Sequence, residues 1–286
     1  MEQPSESPKS GAALLEELAQ KPIIPARPKN ETDHRFVLSK EQFSRDRILA
    51  VKEQVKEMKD KYPEFLSMNL FGSMIKGTAH EKSDIDGVVF VDTDIIAKRI
   101  GLNEDELIKY NERGHLVLSQ DIAKEYTLAM RNGLKEKTGL SDEFVSDIRT
   151  SPISEAVIDM DINKSLKYYR AKDAYDSDYD NWVKSRPKRG CSIDDLINHE
   201  KSQPKRPEYT KTDLGQMFNL DVGGGIKKYR SMLIEKLNNL GADGERIWSD
   251  LVETAELYEN GLGSTQRYPR TLEDARKLYS LKSEEK

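Results

Sequence analysis

Phe71-Gly72-Ser73, then Lys76-Gly77-Thr78, then Ser83-Asp84-Ile85-Asp86 running into Gly87-Val88-Val89-Phe90-Val91, is the stretch that decides the fold of this chain. Leu66 to Phe71 reads as a short strand that stops at Gly72, and Gly87 to Val91 as a second strand rich in β-branched residues. Asp84 and Asp86 stand one residue apart at the head of that second strand. Side chains there alternate with period two, so both carboxylates fall on one face. Their Cα atoms are then about 6.5–7 Å apart, a span over which two carboxylates can converge on a pair of divalent ions. Gly72-Ser73 ends the first strand where backbone amides and a hydroxyl meet an approaching phosphate with no Cβ in the way. The combination points to metal-dependent phosphoryl transfer.

The order of these parts resembles the nucleotidyltransferase superfamily, which includes DNA polymerase beta, the CCA-adding enzymes, the oligoadenylate-synthase-like enzymes and the antibiotic nucleotidyltransferases. The Lys76-Gly77-Thr78 step is closest in pattern to the CCA-adding and oligoadenylate-type branches. The resemblance implies an α+β fold: a small mixed sheet flanked by helices. It also implies transfer of NMP from an NTP to a hydroxyl acceptor with loss of pyrophosphate, using two Mg²⁺ or Mn²⁺ ions. Asp84 and Asp86 would hold both ions, Gly72 and Ser73 would position the β and γ phosphates, and Lys76 and Thr78 would assist them.

A third carboxylate, on a third strand, is also implied. Glu155 to Ile162 alternates strictly, with Ile158, Met160 and Ile162 on one face and Val157, Asp159 and Asp161 on the other, and so reads as that strand. Both aspartates share a face. The pattern favours Asp161 as the third catalytic and metal-binding group, with Asp159 as the alternative.

Composition bounds the rest. The chain has 286 residues, 34% charged and 36% hydrophobic, enough for one large or two small domains with little apolar content to spare. No run approaches the roughly 18 apolar residues of a membrane span, and Met1-Glu2-Gln3-Pro4 lacks the blocks of a signal peptide, so a cytoplasmic protein without a membrane partner is expected. Cys191 is the single cysteine, which excludes an internal disulfide and a multi-cysteine zinc site. The four histidines show no ligand spacing, which leaves carboxylate oxygens and hard cations. A net charge of −5 argues against a chain-wide nucleic-acid surface.

Along the chain, residues 1–35 read as a disordered tail, 36–171 as the catalytic domain, 172–211 as a polar linker and 212–286 as a helical domain. Ser39 with Gln42 resembles a capping box opening a helix over 40–61. Helices are expected at 93–100, 103–113 and 118–137, and later at 226–240, 243–259 and 272–281, with a short one begun by Ser192 and Asp195. The linker mixes Lys and Arg with Tyr179, Trp182 and Tyr209, but acids nearly balance the bases. Gly223-Gly224-Gly225 reads as a flexible joint, after which Lys227 and Lys228 are the candidate triphosphate contacts from the C-terminal side. The acceptor is open among a small molecule, a nucleotide, an RNA 3′ end and a protein. The competing reading is a non-catalytic module of the same fold that binds nucleotide or RNA.

Overall fold

Ile48, Val51, Val55 and Met58 recur at helical spacing and form the buried stripe of helix α1 (Gln42–Lys61). The computed structural model describes residues 41–76, 78–112, 116–187, 191–208, 213–259 and 269–279. Ser39 and the expected tail lie outside them. The helix stops where Pro63 forces the preceding Tyr62 into extended backbone, at φ −125° and ψ 102°. Strand β1 (Phe65–Leu70), the single turn α2 (Ser73–Lys76) and strand β2 (Gly87–Asp92) follow. Next come α3 (Thr93–Ile100), α4 (Glu104–Leu107), the hairpin β3 (Ile108–Tyr110) and β4 (Leu116–Leu118), and α5 (Gln120–Thr138). Strand β5 (Ile148–Ile153) leads into α6 (Glu155–Lys184), α7 (Ile193–Lys201), β6 (Leu220–Val222), α8 (Lys227–Asn239), α9 (Ala242–Glu259) and α10 (Leu272–Tyr279).

Four strands form one mixed sheet in the order β5-β2-β1-β6. β1 is antiparallel to β2 and to β6, while β2 and β5 run parallel. Every residue of β2 is buried, as expected of an inner strand covered on both faces. Helices α1 and α5 pack on the sheet and on each other. They approach so closely at Gly133 that a Cβ there would lie 1.9 Å from Gln54 Oε1. The α+β class and the small mixed sheet match the expectation.

Three sequence expectations are corrected. Residues 155–162 are not a strand but the start of α6, whose buried positions Val157, Ile158, Asp161, Ile162, Ser165 and Tyr169 follow a helical period. Ser154 caps this helix by accepting a hydrogen bond from the Val157 amide at 3.1 Å. Over eight residues, alternation also satisfies half of a helical stripe, and the cap decides between them. The strand beside β2 is instead β5, masked in the sequence by Arg149 and by Pro152, which is tolerated because β5 is an edge strand. Helix α6 also runs on through residues 172–184, into the expected linker. Lastly, only 104–107 of the expected helix over 103–113 is helical, because Ile108–Tyr110 pairs with Leu116–Leu118.

The C-terminal helices do not begin at a clean boundary. β6 pairs with β1, so the segment expected as a separate helical domain contributes an edge strand to the sheet. Phe218 and Trp248, both buried, meet edge to face at 5.0 Å between them. Ser192 and Asp195 form the expected capping box of α7. Among the described residues, no helix is long and apolar enough to cross a membrane.

Candidate active site

The site lies at the end of the sheet where β1 stops. Leu70 is paired with Gly87 on one side and Leu220 on the other, and the Phe71 amide continues the ladder to the Asp86 carbonyl at 3.2 Å. Gly72 then turns with φ +72°, and a Cβ there would sit 2.0 Å from Asp86 Oδ2. Glycine is therefore required twice, by the left-handed backbone and by the carboxylate passing beside it. Ser73 opens α2, whose Met74 and Ile75 are fully buried. Its hydroxyl is buried and has no hydrogen-bond partner among the described residues, an orphaned polar atom one residue after Gly72 that asks for one.

The loop before β2 is held locally by two hydrogen bonds between His80 and Ser83: the His80 amide donates to Ser83 Oγ at 2.9 Å, and the Ser83 amide to the His80 carbonyl at 2.8 Å. Ile85 is fully buried and its amide donates to the Phe144 carbonyl at 2.8 Å. With Ile85 pointing into the core, Asp84 and Asp86 on either side of it point away from the core, as period-two alternation requires.

The third carboxylate is Asp147. β2 and β5 are parallel with Gly87 opposite Ile148, so Asp86 and Asp147 stand side by side one residue ahead of their strands. Asp84, Asp86 and Asp147 each offer an oxygen, and these oxygens all lie within 4.8 Å of one another. Like charges this close repel one another, and a cation held between them relieves that repulsion. Three carboxylate oxygens with no sulfur or imidazole suit Mg²⁺ or Mn²⁺, so the donor set fits the ions that the resemblance implies.

The structure does not bring Asp159 or Asp161 into this cluster. Both stand on α6, beyond the far end of β5 from Asp147. Asp159 accepts a hydrogen bond from Lys236 at 2.8 Å, and Glu155 shares that lysine at 2.9 Å. Asp161 is buried near Tyr110, whose hydroxyl is pushed up in pKa by burial and, second, by this aspartate. Thr78 is exposed just after α2, and Lys76 closes that turn. Lys227 and Lys228 are at the opposite end of the sheet. β6 runs back along β1 from Leu70 towards Met68, and Gly225 then approaches the Leu66 carbonyl, where a Cβ would lie 2.1 Å away. Both lysines are exposed there, with the Lys228 ammonium 5.1 Å from the Tyr229 ring.

Residues 51–169 match the family model described as a nucleotidyltransferase domain. The matched segment contains β1, the Gly72-Ser73 turn, β2, β5 and all three clustered aspartates. The match is consistent with the nucleotidyltransferase superfamily that the motif resembles. No curated protein and no solved structure gives a match.

Proposed function

We propose that this protein is a metal-dependent nucleotidyltransferase that moves NMP from an NTP to a hydroxyl acceptor at Asp84, Asp86 and Asp147, releasing pyrophosphate. The observation that carries this reading is the convergence of the three carboxylates within 4.8 Å at the sheet end, beside the Gly72 turn and the unpartnered Ser73 hydroxyl.

The three aspartates would hold two Mg²⁺ or Mn²⁺ ions, which would supply charge neutralisation at the triphosphate and at the attacking and leaving oxygens. The chain's own residues do the positioning. Gly72, lacking a Cβ, lets a phosphate come close to the turn, and Ser73 Oγ donates a hydrogen bond to a phosphate oxygen. Asp147 is the most exposed of the three carboxylates, so it faces the side from which an acceptor enters and takes the acceptor's hydroxyl proton. The acceptor oxygen bonds to the α-phosphorus as the bond from that phosphorus to the bridging oxygen breaks. Pyrophosphate leaves with the electron pair. Orientation and fixed charge carry the rate, which is why carboxylates and glycine dominate the motif.

The test is incubation of the full chain with each α-³²P-labelled NTP, Mg²⁺ and a cell extract, beside an Asp84→Asn/Asp86→Asn variant. Label transfer that needs the divalent ion and is lost in the variant is the expected result. The labelled product then separates a small molecule, a nucleotide, an RNA 3′ end and a protein as acceptor. Equal transfer by the variant sinks the reading.

A further inference from the structure

Arg47 belongs to none of the sequence motifs, yet it is the residue that ties the loop of Asp84 to the body of the domain. It sits on the inner face of α1 and is only 6% exposed. Its Nη1 donates to the Ser83 carbonyl at 2.5 Å and its Nη2 to the Glu81 carbonyl at 2.6 Å. The rings of Phe43 and Phe144 lie 5.0 Å and 5.6 Å from the guanidinium carbon. Phe144 is also the residue whose carbonyl holds the Ile85 amide. The guanidinium thus joins α1, the loop entering Asp84 and the segment leading into Asp147. Burial lowers its pKa, while Asp84 and then Glu81 pull it back up, so the charge also acts on the cluster.

We propose that Arg47 is the positioning residue of the carboxylate cluster: its planar fork fixes the backbone at Glu81 and Ser83 so that Asp84 meets Asp86 and Asp147. The inference rests on the cluster being a divalent-metal site. A guanidinium is suited to this task because its donors have fixed relative directions, and a lysine ammonium, a point charge on a flexible stem, cannot reproduce both bonds in one plane. Charge-assisted bonds to carbonyls also tolerate burial better than an unpaired charge would. Loss of the fork frees the loop without removing any ligand.

The experiment is Mn²⁺ binding to the full-length, metal-free protein, read from the electron paramagnetic resonance signal of free Mn²⁺, for wild type, Arg47→Lys and Asp84→Asn/Asp86→Asn. Partners that orient metal ligands typically account for about 10- to 100-fold in affinity. Arg47→Lys is therefore expected to bind Mn²⁺ about tenfold more weakly with an unchanged circular dichroism spectrum. The Mg²⁺ concentration for half-maximal label transfer should rise by a similar factor, and turnover at saturating Mg²⁺ should return to within about threefold of wild type. Unchanged Mn²⁺ affinity in Arg47→Lys overturns the proposal and leaves Arg47 a residue of the core. Wild-type Mn²⁺ binding by Asp84→Asn/Asp86→Asn overturns the metal-site reading itself, and the proposal with it. If Arg47→Lys does not fold, Phe144→Leu, at a half-buried position, decides by the same criterion: weaker Mn²⁺ binding supports the proposal, and unchanged binding overturns it.

Discussion

Replacing Asp147 by Asn should make this protein more stable and nearly inactive. The carboxylate faces two others, with their oxygens no more than 4.8 Å apart. Unit charges at that distance repel by about 0.9 kcal/mol per pair in water, and screening over a Debye length of about 8 Å leaves roughly half. Asparagine is nearly isosteric and removes two such repulsions, so metal-free protein should gain about 1 kcal/mol. That corresponds to a rise in Tm of about 2–4 °C. On the proposed function the same change removes one of three metal ligands and the proton acceptor, for which a loss of label transfer on the order of 10³-fold is expected, about 4 kcal/mol of transition-state stabilisation. Thermal melts with EDTA and with Mg²⁺ test the first half: the melting temperature of wild type should rise with Mg²⁺, and that of Asp147→Asn should rise much less. Transfer assays of Asp147→Asn, Asp159→Asn and Asp161→Asn test the second half. The latter two should stay within about threefold of wild type, since neither carboxylate reaches the cluster. Wild-type turnover in Asp147→Asn, or the severe loss appearing in Asp161→Asn, would refute the assignment.

Gly72→Ala should fold with a stability lower by about 1–2 kcal/mol, the strain of alanine in left-handed backbone. It should lose activity by about 10²-fold or more because its Cβ displaces the Asp86 carboxylate; a fully active variant would show that Asp86 can move without consequence. A pH effect is expected far from the site, at Asp250 on α9, where burial and then Glu253 raise the carboxyl pKa to about 6. A folded pKa above the unfolded value of about 3.9 means that the protonated form stabilises the fold. That stabilisation is complete below about pH 4 and is lost as pH rises through about 6. Asp250→Asn, uncharged throughout, should therefore gain on wild type in denaturant melts as pH rises from 4 to 8, and a constant difference between the two would remove Asp250 as the source.

Which parts of the site were legible in the sequence depends on the range of the interaction. Gly72, Ser73, Asp84 and Asp86 are marked by local chemistry: a turn after one apolar run, and alternation at the head of another. Asp147 carries no such mark. It precedes a strand interrupted by Arg149 and Pro152, and its place is set by the parallel register of Gly87 with Ile148. Asp159 and Asp161 attracted attention because Val157 to Ile162 alternates, yet the Ser154 cap and the packing of Ile158 and Ile162 made that segment helical. Lys227 and Lys228 follow a glycine run that reads as a flexible joint, and the antiparallel course of β6 carries them to the other end of the sheet.

The sequence by itself determined the nucleotidyltransferase resemblance, the α+β architecture and two of the three clustered carboxylates. Each of these rests on periodicity, turn chemistry or short spacing, which act between neighbours in the chain. Only the tertiary structure decided the third carboxylate of the cluster, the membership of β6 in the sheet and the contacts of Arg47. Strand partners and the reach of a buried guanidinium are set by which distant segments share a core. Neither the charge of Asp147 nor that of Arg47 distinguishes it, in sequence, from the many other charged residues of this chain.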